Sequence, residues 1–297
     1  MKRRTLCVLL YLLFAIPFAK SGTLAQFRTV YGDIDVELYD LDKPVTVQNF
    51  LRYTQSGTYD SMFFHRCFPG FLIRGGRYRV TDRADTNNAT TFRGVPFFAP
   101  ITNEFNVGTL RSNVFGTIAM FKNSDSDPNS ATSEWFFNLA DNSADLDSQN
   151  GGSVVFGNVV RGTNVLNYID TLFKSETNSS GAIVDLRWWL GNGELATLFS
   201  DLPVNPFNHP GLDYPRYVDL VFVDVSLLSV EVQATGSGSR QISWNSVSNK
   251  VNTVEFTTKF PPVWQTLTTT NGTGNTLTVI DSNSTNKRRF YRVRVDY

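Results

Sequence analysis

Short apolar runs with β-type alternation constrain the fold of this chain more than any other feature of its sequence. Residues 26–40 alternate around a Gly-Asp turn, which places Ile34 and Val36 on one face. Further strands are predicted at 62–67, 71–74, 116–121, 135–139, 154–159 and 218–228. Only two segments, 44–57 and 163–172, have the apolar spacing of an amphipathic helix. We therefore expect a mainly β protein in which a closed barrel is capped by two helices.

Charge and composition argue against several classes of function. The 297 residues include 27 basic and 27 acidic side chains, which gives a formal net charge of zero. Nucleic-acid-binding proteins and polybasic membrane-surface proteins both carry a basic excess, so neither class is expected. With 41% hydrophobic and 18% charged residues, the chain has the composition of an ordinary globular protein. Its length indicates about two domains.

The first 25 residues have the layout of a secretory signal peptide. A basic start at residues 2–4 precedes an apolar run over 5–18, and small residues follow up to Ala25. The apolar run is shorter than the ~20 residues that span a bilayer. We therefore expect an exported protein (periplasmic, cell-envelope or secreted) with no stable membrane insertion after cleavage. Cys67 is then the only cysteine left, so no intrachain disulfide can form.

The composition of the chain changes after Leu228. From there on it is rich in Thr, Ser, Asn and Val, with strand-like runs at 230–234, 240–244, 253–259, 276–280 and 289–295. Turns containing Ser, Gly, Asn or Pro separate these runs at the spacing of a β-sandwich. The sequence thus predicts a signal peptide (1–25), a barrel domain (26–229) and a small β-sandwich-like module (230–297), joined near Ser229.

One motif of the barrel domain resembles a known family. The segment FFHRCFPGFLIRGG (63–76) is similar to the cyclophilin signature, F-H-R-x-x-x-x-F-(M/L)-x-Q-G-G. Blocks such as GDIDVELYD, GTIAM, NSATSEWFFNL and VVFGNVVRGTNVLNYI continue the resemblance in register, and DLPV (201–204) with YVDLVFVDVSLL (217–228) resembles the end of secreted bacterial members. The resemblance implies a peptidyl-prolyl cis–trans isomerase built on an eight-stranded antiparallel barrel with two capping helices. It also implies action on proline-containing polypeptides without a cofactor. We expect the protein to be a monomer.

The resemblance assigns roles to individual residues. Arg66 matches the catalytic arginine of the family. The residues that match the wall of the proline pocket are Phe71, Leu72, Phe136 and Leu146. Strand alternation supports this set, because Glu134 and Phe136 share one face while Trp135 and Phe137 point to the other.

The chemistry of prolyl isomerisation explains these residue types. A peptide bond resists rotation with a barrier of about 18–20 kcal/mol, because resonance delocalises the nitrogen lone pair. Twisting the X-Pro bond localises that lone pair, so a fixed donor aimed at the nitrogen stabilises the twisted state more than either planar state. The guanidinium of Arg66 suits this role, because it is always charged and its donors form a rigid fork.

Four rim positions depart from the family pattern and are predicted to contact substrate. Arg74 replaces a glutamine that braces the catalytic arginine, and Glu134 replaces a second pocket glutamine. Phe121 stands where a small residue is usual, and Ser153 stands where many members carry His or Tyr. We expect the Glu134 carboxylate to lie between Arg74 and Arg66 and to accept charge-assisted hydrogen bonds from both.

The sequence leaves alternative functions open beside a prolyl isomerase that assists folding of exported proteins. Loss of the bracing glutamine also fits a non-catalytic module that holds proline-containing segments in a remodelled pocket. A third possibility is that residues 230–297 serve adhesion or targeting. His65 and His209 are the only histidines and no nucleophile motif is present, so we interpret His65 as structural. No metal site is expected, because the D-x-D spacings near 125 and 145 lack a closing glutamate.

Overall fold

The computed structural model of this protein describes residues 23–80, 92–175, 183–190, 198–208, 214–228, 230–235, 238–246, 251–259, 261–273, 275–284 and 288–296. Most of the predicted signal peptide, His209 and the predicted junction at Ser229 lie outside these ranges. Leu24 and Ala25 are described, and they form the start of the first strand, where Ala25 is fully buried. The first strand thus begins two residues before residue 26, where the sequence predicts the barrel domain to start. In the described ranges, no helix has both the length and the apolar character needed to cross a membrane.

The secondary structure is mainly β. Up to residue 228 the described strands are β1 (Leu24–Thr29), β2 (Gly32–Leu38), β3 (Arg66–Phe68), β4 (Leu72–Gly75), β5 (Tyr78–Val80), β6 (Phe92–Gly94), β7 (Thr117–Lys122), β8 (Ala131–Asn138), β9 (Val155–Arg161), β10 (Ile183–Val184), β11 (Leu202–Pro203) and β12 (Val223–Leu228). The described α-helices are α1 (Pro44–Gln55), α2 (Ser143–Leu146), α3 (Thr163–Ser175) and α4 (Arg187–Leu190), and short 3-10 turns occur at Gln149–Gly151 and Tyr217–Asp219. Helices α1 and α3 are the two that the sequence predicts.

Eight strands form one antiparallel sheet in the order β12-β1-β2-β9-β7-β8-β4-β3. The predicted alternation of β2 is confirmed, since Ile34 and Val36 are fully buried while the residues between and beside them are not. The core on this face is aromatic. Phe27 lies edge-on to Trp135 and Phe137, with ring centroids 4.9 and 5.0 Å away. The inward face of β8 is therefore committed to the core, which leaves its other face for the site.

The sheet is curled rather than closed by a continuous ladder. Its edge strands, β12 and β3, do not pair with each other within the described residues. Instead, the segments that precede them meet: the Phe64 N–H donates to the Val221 carbonyl (2.9 Å), and the Val223 N–H donates to the Met62 carbonyl (3.0 Å). Strand β3 is also shorter than the predicted run from Met62, because residues 62–64 form this bridge and β3 begins at Arg66.

The stretch between α3 and β12, predicted to be rich in loops, builds a second apolar cluster beside β3. Phe199, which precedes β11, and Leu202, its first residue, are fully buried there together with Phe63. The Cys67 N–H donates to the Asp201 carbonyl (2.9 Å), which fastens this stretch to β3. A segment far along the chain therefore lies at the edge of the sheet where Arg66 is placed.

The residues after Leu228 form two three-stranded antiparallel sheets, β13-β14-β17 and β16-β15-β18. The strands are β13 (Val230–Ala234), β14 (Arg240–Asn245), β15 (Val251–Thr257), β16 (Gln265–Asn271), β17 (Thr276–Asp281) and β18 (Phe290–Asp296). Ile242 and Trp244 of one sheet share a buried apolar cluster with Val254 of the other. All five predicted runs correspond to strands. The sequence analysis missed β16, because its residues (QTLTTTN) have a single large apolar side chain and lie largely at the surface.

Candidate active site

Strands β4, β7 and β8 bring five of the predicted pocket residues together on the face opposite the main core. Leu72 and Phe136 are buried in one apolar cluster with Ala119, and the members packed around them include the half-buried Phe71, Phe121 and Leu146. Phe136 lies directly opposite Ala119 of β7 and Arg74 of β4 in the two ladders. The predicted alternation of β8 is thus present, and the cluster forms a continuous apolar wall.

Arg66 lies beside this wall, and its guanidinium is held along one edge. Its Nε and Nη2 atoms are both 3.3 Å from Oδ2 of Asp201, and Nη2 also donates to the Ser200 hydroxyl (3.3 Å). The Ser200 hydroxyl in turn donates to the same Asp201 oxygen (2.6 Å). The guanidinium carbon is 4.9 Å from the ring centroid of Phe68, a member of the apolar cluster. In the part of the chain that the structure describes, Nη1 makes no hydrogen bond.

Glu134 is buried below the rim in a compact charged network. Its Oε1 accepts a hydrogen bond from Arg77 Nη1 (2.8 Å), and its Oε2 lies 3.2 Å from Arg74 Nε. Arg74 Nε also donates to Nε2 of the buried His65 (3.1 Å). The Arg74 guanidinium carbon lies 3.8 Å from the ring centroid of Phe121, which is a cation–π geometry. We call His65, Arg74, Arg77 and Glu134 the buried charge network.

The predicted bracing of Arg66 by Glu134 is wrong. The described ion pairs of Glu134 are with His65, Arg74 and Arg77, and the described ion pair of Arg66 is with Asp201. The physical reason is that Arg77 and Arg74 lie within ion-pair distance of the two Glu134 carboxylate oxygens, at 2.8 and 3.2 Å. Arg74 is fixed in this arrangement because its guanidinium lies on Phe121.

The buried charge network has a defined protonation pattern. Burial, together with the Arg74 cation, lowers the pKa of His65 to about 4, so the imidazole is neutral at pH 7. Burial alone would raise the pKa of Glu134, but His65, Arg74 and Arg77 lower it to about 2. Burial lowers the pKa of Arg74 to about 10, which leaves it cationic at neutral pH. His65 is fully buried beside Arg74 and Glu134, which gives it a structural place in the network.

Ser153 shapes the pocket through its backbone. Its N–H donates to the Leu146 carbonyl (2.7 Å), and its carbonyl accepts from Asn113 Nδ2 (2.9 Å). These bonds hold the loop that carries Leu146 against the apolar wall. Asp145, the residue before Leu146, is exposed. Among the described residues, no three His, Cys, Asp or Glu side chains are grouped so that they could hold a metal ion.

The sequence analysis missed Asp201 and Ser200 as part of the site. Asp201 is 135 residues from Arg66 in the chain, so no local pattern connects them. The only available signal was its position at the start of the DLPV block, which the resemblance covers without giving it a role. The sequence analysis also missed Arg77, which directly follows Gly75 and Gly76, as a partner of Glu134.

Fold and site together define a class of protein: a curled antiparallel sheet with an external apolar wall and a fixed arginine at its edge. A family model described as "Cyclophilin type peptidyl-prolyl cis-trans isomerase/CLD" matches residues 24–186, which is more than half of the chain. The chain belongs to the cyclophilin-type peptidyl-prolyl cis–trans isomerase family.

Individual relatives give the same family. The peptidyl-prolyl cis-trans isomerase of Acinetobacter baylyi is 35% identical over 152 residues, which cover 51% of this chain and 73% of the relative. Peptidyl-prolyl cis-trans isomerase A of Dickeya dadantii is 38% identical over 152 residues, with the same coverage of 51% and 73%. A crystal structure of a cyclophilin-type isomerase from Cryptosporidium parvum is 19% identical, covers 70% of this chain and 98% of its own, and has a TM-score of 0.41.

Proposed function

We propose that this protein isomerises X-Pro peptide bonds in exported polypeptides, with Arg66 as its catalytic residue. One observation carries the proposal. The guanidinium of Arg66 is held along its Nε–Nη2 edge and has its Nη1 side without a hydrogen bond among the described residues, next to an apolar wall that is itself largely buried. A proline ring packed on that wall would place its nitrogen beside the remaining donor.

The other predicted site residues have distinct parts in this proposal. Phe71, Leu72, Phe136 and Leu146 hold the proline ring, so that the preceding chain rotates around the bond. Arg66 donates to the proline nitrogen as its lone pair localises, which lowers the barrier by differential stabilisation. Phe121 lines the rim and contacts flanking substrate residues. The buried Arg74 and Glu134 support the rim from below, and Ser153 shapes it through its backbone. No covalent bond is broken, so the reaction needs no cofactor.

The test is a protease-coupled isomerase assay on the protein and its Arg66→Ala variant. Loss of an aimed donor from an active site reduces turnover by about 100-fold or more, so we expect at least that fall in kcat/KM. Arg161→Ala is the matched control, because Arg161 is an exposed arginine paired with Asp35 far from the wall. A parent protein that binds proline peptides without accelerating isomerisation would contradict the proposal and favour the non-catalytic binding module.

We further propose that residues 1–22 are a secretory leader, removed before β1, and that the mature protein works outside the cytoplasm as a monomer. The layout of the leader and the start of β1 at Leu24 support this arrangement. Mass spectrometry of the N-terminus after expression in a bacterial host tests it. Intact residues 1–22 on exported protein, or protein confined to the cytoplasm, would contradict it.

For the architecture, we propose that the curled sheet functions as a closed barrel and that residues 230–297 form a separate sandwich-like module. The bridge between 62–64 and 221–223 supports the first part. The apolar cluster shared by the two C-terminal sheets supports the second. Slow hydrogen exchange of the Phe64 and Val223 amides would fit closure, and fast exchange would contradict it.

A further inference from the structure

We propose that Asp201 is a positioning residue for Arg66, supplied by the stretch between α3 and β12 in place of the glutamine brace that Arg74 replaces. The proposal rests on the proposed function, since it concerns the residue that we place at the centre of the reaction. It assigns a catalytic consequence to an ion pair formed 135 residues apart in the chain.

The geometry of the pair orients the Arg66 guanidinium without blocking all of its donors. Asp201 Oδ2 lies 3.3 Å from both Nε and Nη2 of Arg66, so it faces one edge of the guanidinium. A planar guanidinium held along one edge has a fixed orientation, and the Nη1 donors on its other side stay directed away from the carboxylate. Asp201 therefore limits the rotation of Arg66 without taking the donors that the proposed reaction uses.

Asp201 can brace Arg66 because its own position is fixed from three sides. Its chain neighbours Phe199 and Leu202 are fully buried in the second apolar cluster. Its carbonyl accepts from the N–H of Cys67, the residue after Arg66, and its carboxylate accepts from the Ser200 hydroxyl (2.6 Å). A functional side chain is positioned well only when its support is itself held by packing and hydrogen bonds.

The strand position opposite Arg66 cannot supply this brace, because an arginine side chain has no hydrogen-bond acceptor. Arg74, which stands opposite Arg66 in the β3–β4 ladder, is held by Glu134 and by the ring of Phe121. Among the described residues, Asp201 is the only carboxylate within ion-pair distance of Arg66. The brace thus comes from outside the strands that build the apolar wall.

The Arg66–Asp201 pair is partly exposed, with 22% and 29% of the two side chains accessible. An ion pair so placed contributes little to the free energy of unfolding. Its effect on turnover is expected to be larger than its effect on stability, because catalysis depends on where the donor points. This difference separates a positioning role from a merely structural one.

The experiment compares Asp201→Ala and Asp201→Asn with the parent protein. Asp201→Ala removes the acceptor, and a hydrogen bond to a charged group is worth enough for about a tenfold fall in kcat/KM. Asp201→Asn keeps an oxygen in place and is expected to remain within about threefold of the parent, since the amide oxygen still accepts from Arg66. Asp185→Asn is the control, because Asp185 is an exposed aspartate of the same stretch, paired with Arg187. We expect no change in its activity.

Two further readouts distinguish orientation from folding. The affinity for a proline peptide, measured by calorimetry, is expected to stay within twofold in all three variants, because the apolar wall is intact. The 15N–1H signal of Arg66 Nε is expected to move to the position of a solvent-exposed arginine in Asp201→Ala and to stay near the parent position in Asp201→Asn. This signal tests the brace even if the parent protein has no isomerase activity, a result that would refute the proposed function and not the brace.

The proposal fails if the kcat/KM of Asp201→Ala equals or exceeds that of the parent, since Asp201 would then have no positive effect on turnover. It fails as well if Asp201→Asn loses as much activity as Asp201→Ala, or if the Arg66 Nε signal is unchanged in Asp201→Ala. Should Asp201→Ala not fold, Ser200→Ala replaces it. That variant removes one support of the carboxylate, and we expect about a threefold loss of kcat/KM with an altered Arg66 signal.

Discussion

The apolar wall of the site and its charged flank are built in different ways. The wall comes from neighbouring strands, where Leu72 and Phe136 lie on one face through simple alternation. The flank joins Arg66 of β3 to Asp201, which arrives with a distant stretch of chain. The charged flank also includes the buried charge network next to this pair. Glu134 belongs to that network, although it shares a strand face with Phe136 of the wall.

The difference matters because the two parts respond differently to change. An apolar wall gains stability in proportion to the area that it buries, at about 25 cal/mol per Å², and tolerates replacement by groups of similar size. A buried charge requires its particular partner, and removing that partner leaves an uncompensated ion. Wall and flank can therefore be altered separately. Four predictions test whether they respond differently.

Phe136→Ala is expected to have the largest effect, because it removes a fully buried ring from the wall. Such a deletion lowers the free energy of unfolding by about 3–5 kcal/mol. Denaturant unfolding measures this loss, and calorimetry should show that affinity for a proline peptide falls with it. Phe136→Leu serves as the conservative control. If Phe136→Ala kept the parent affinity, the cluster would not be the proline pocket.

Glu134→Gln tests the flank at the neighbouring position on the same strand face. It leaves the buried Arg74 without its counter-charge, so we expect the free energy of unfolding to fall by about 2–3 kcal/mol. Peptide affinity should change little, in contrast to Phe136→Ala. Adding Arg74→Gln removes the unpaired cation, and the double variant is expected to regain most of the stability. A double variant as unstable as the single one would show that the loss does not arise from Arg74.

Acid should destabilise the flank before it affects the wall. The folded-state pKa of His65 is about 4, below its usual 6.5, so the unfolded chain binds the proton more readily. Stability is then full above pH 6.5 and is lost as the pH falls towards 4, by about 2 kcal/mol at pH 5. Glu134, with its pKa lowered to about 2, adds a further loss below pH 4.5. Melting curves between pH 7 and 5 measure the loss of stability due to His65, and this loss should be smaller in His65→Gln. A melting temperature of the parent protein that does not change over this range would contradict the lowered pKa of His65.

Removing the C-terminal module is expected to have the smallest effect. A chain ending at Leu228 keeps the wall, the flank and Asp201, so its kcat/KM should stay within twofold of the full chain. The loss is confined to the junction, where a cavity of about 410 Å³ is lined by residues of both parts, including Leu24, Leu228, Val230 and Trp244. Thermal unfolding and the isomerase assay measure the outcome. A chain that no longer unfolds cooperatively would show that the cut passes through one domain.

Local sequence patterns were enough to predict most of the longer strands and both long helices, and the resemblance to the family supplied the residues of the apolar wall. Alternation in β8 separated Glu134 and Phe136 from Trp135 and Phe137, because the two faces of a strand are fixed by backbone geometry. The length of β3 and the contacts that link the two edges of the curled sheet were not predictable in this way. They depend on how residues 62–64 meet residues 221–223, a contact between segments far apart in the chain.

The partners of the charged side chains were decided only by the tertiary structure. Charges within reach on one face, such as Arg66, Arg74 and Glu134, could pair in several ways that the sequence does not distinguish. In the structure, Arg77, which follows Gly75 and Gly76, pairs with Glu134. The packing of the stretch before β12 places Asp201 beside Arg66. Long side chains select partners by distance in space, and that distance is set by the packing of distant segments rather than by strand alternation.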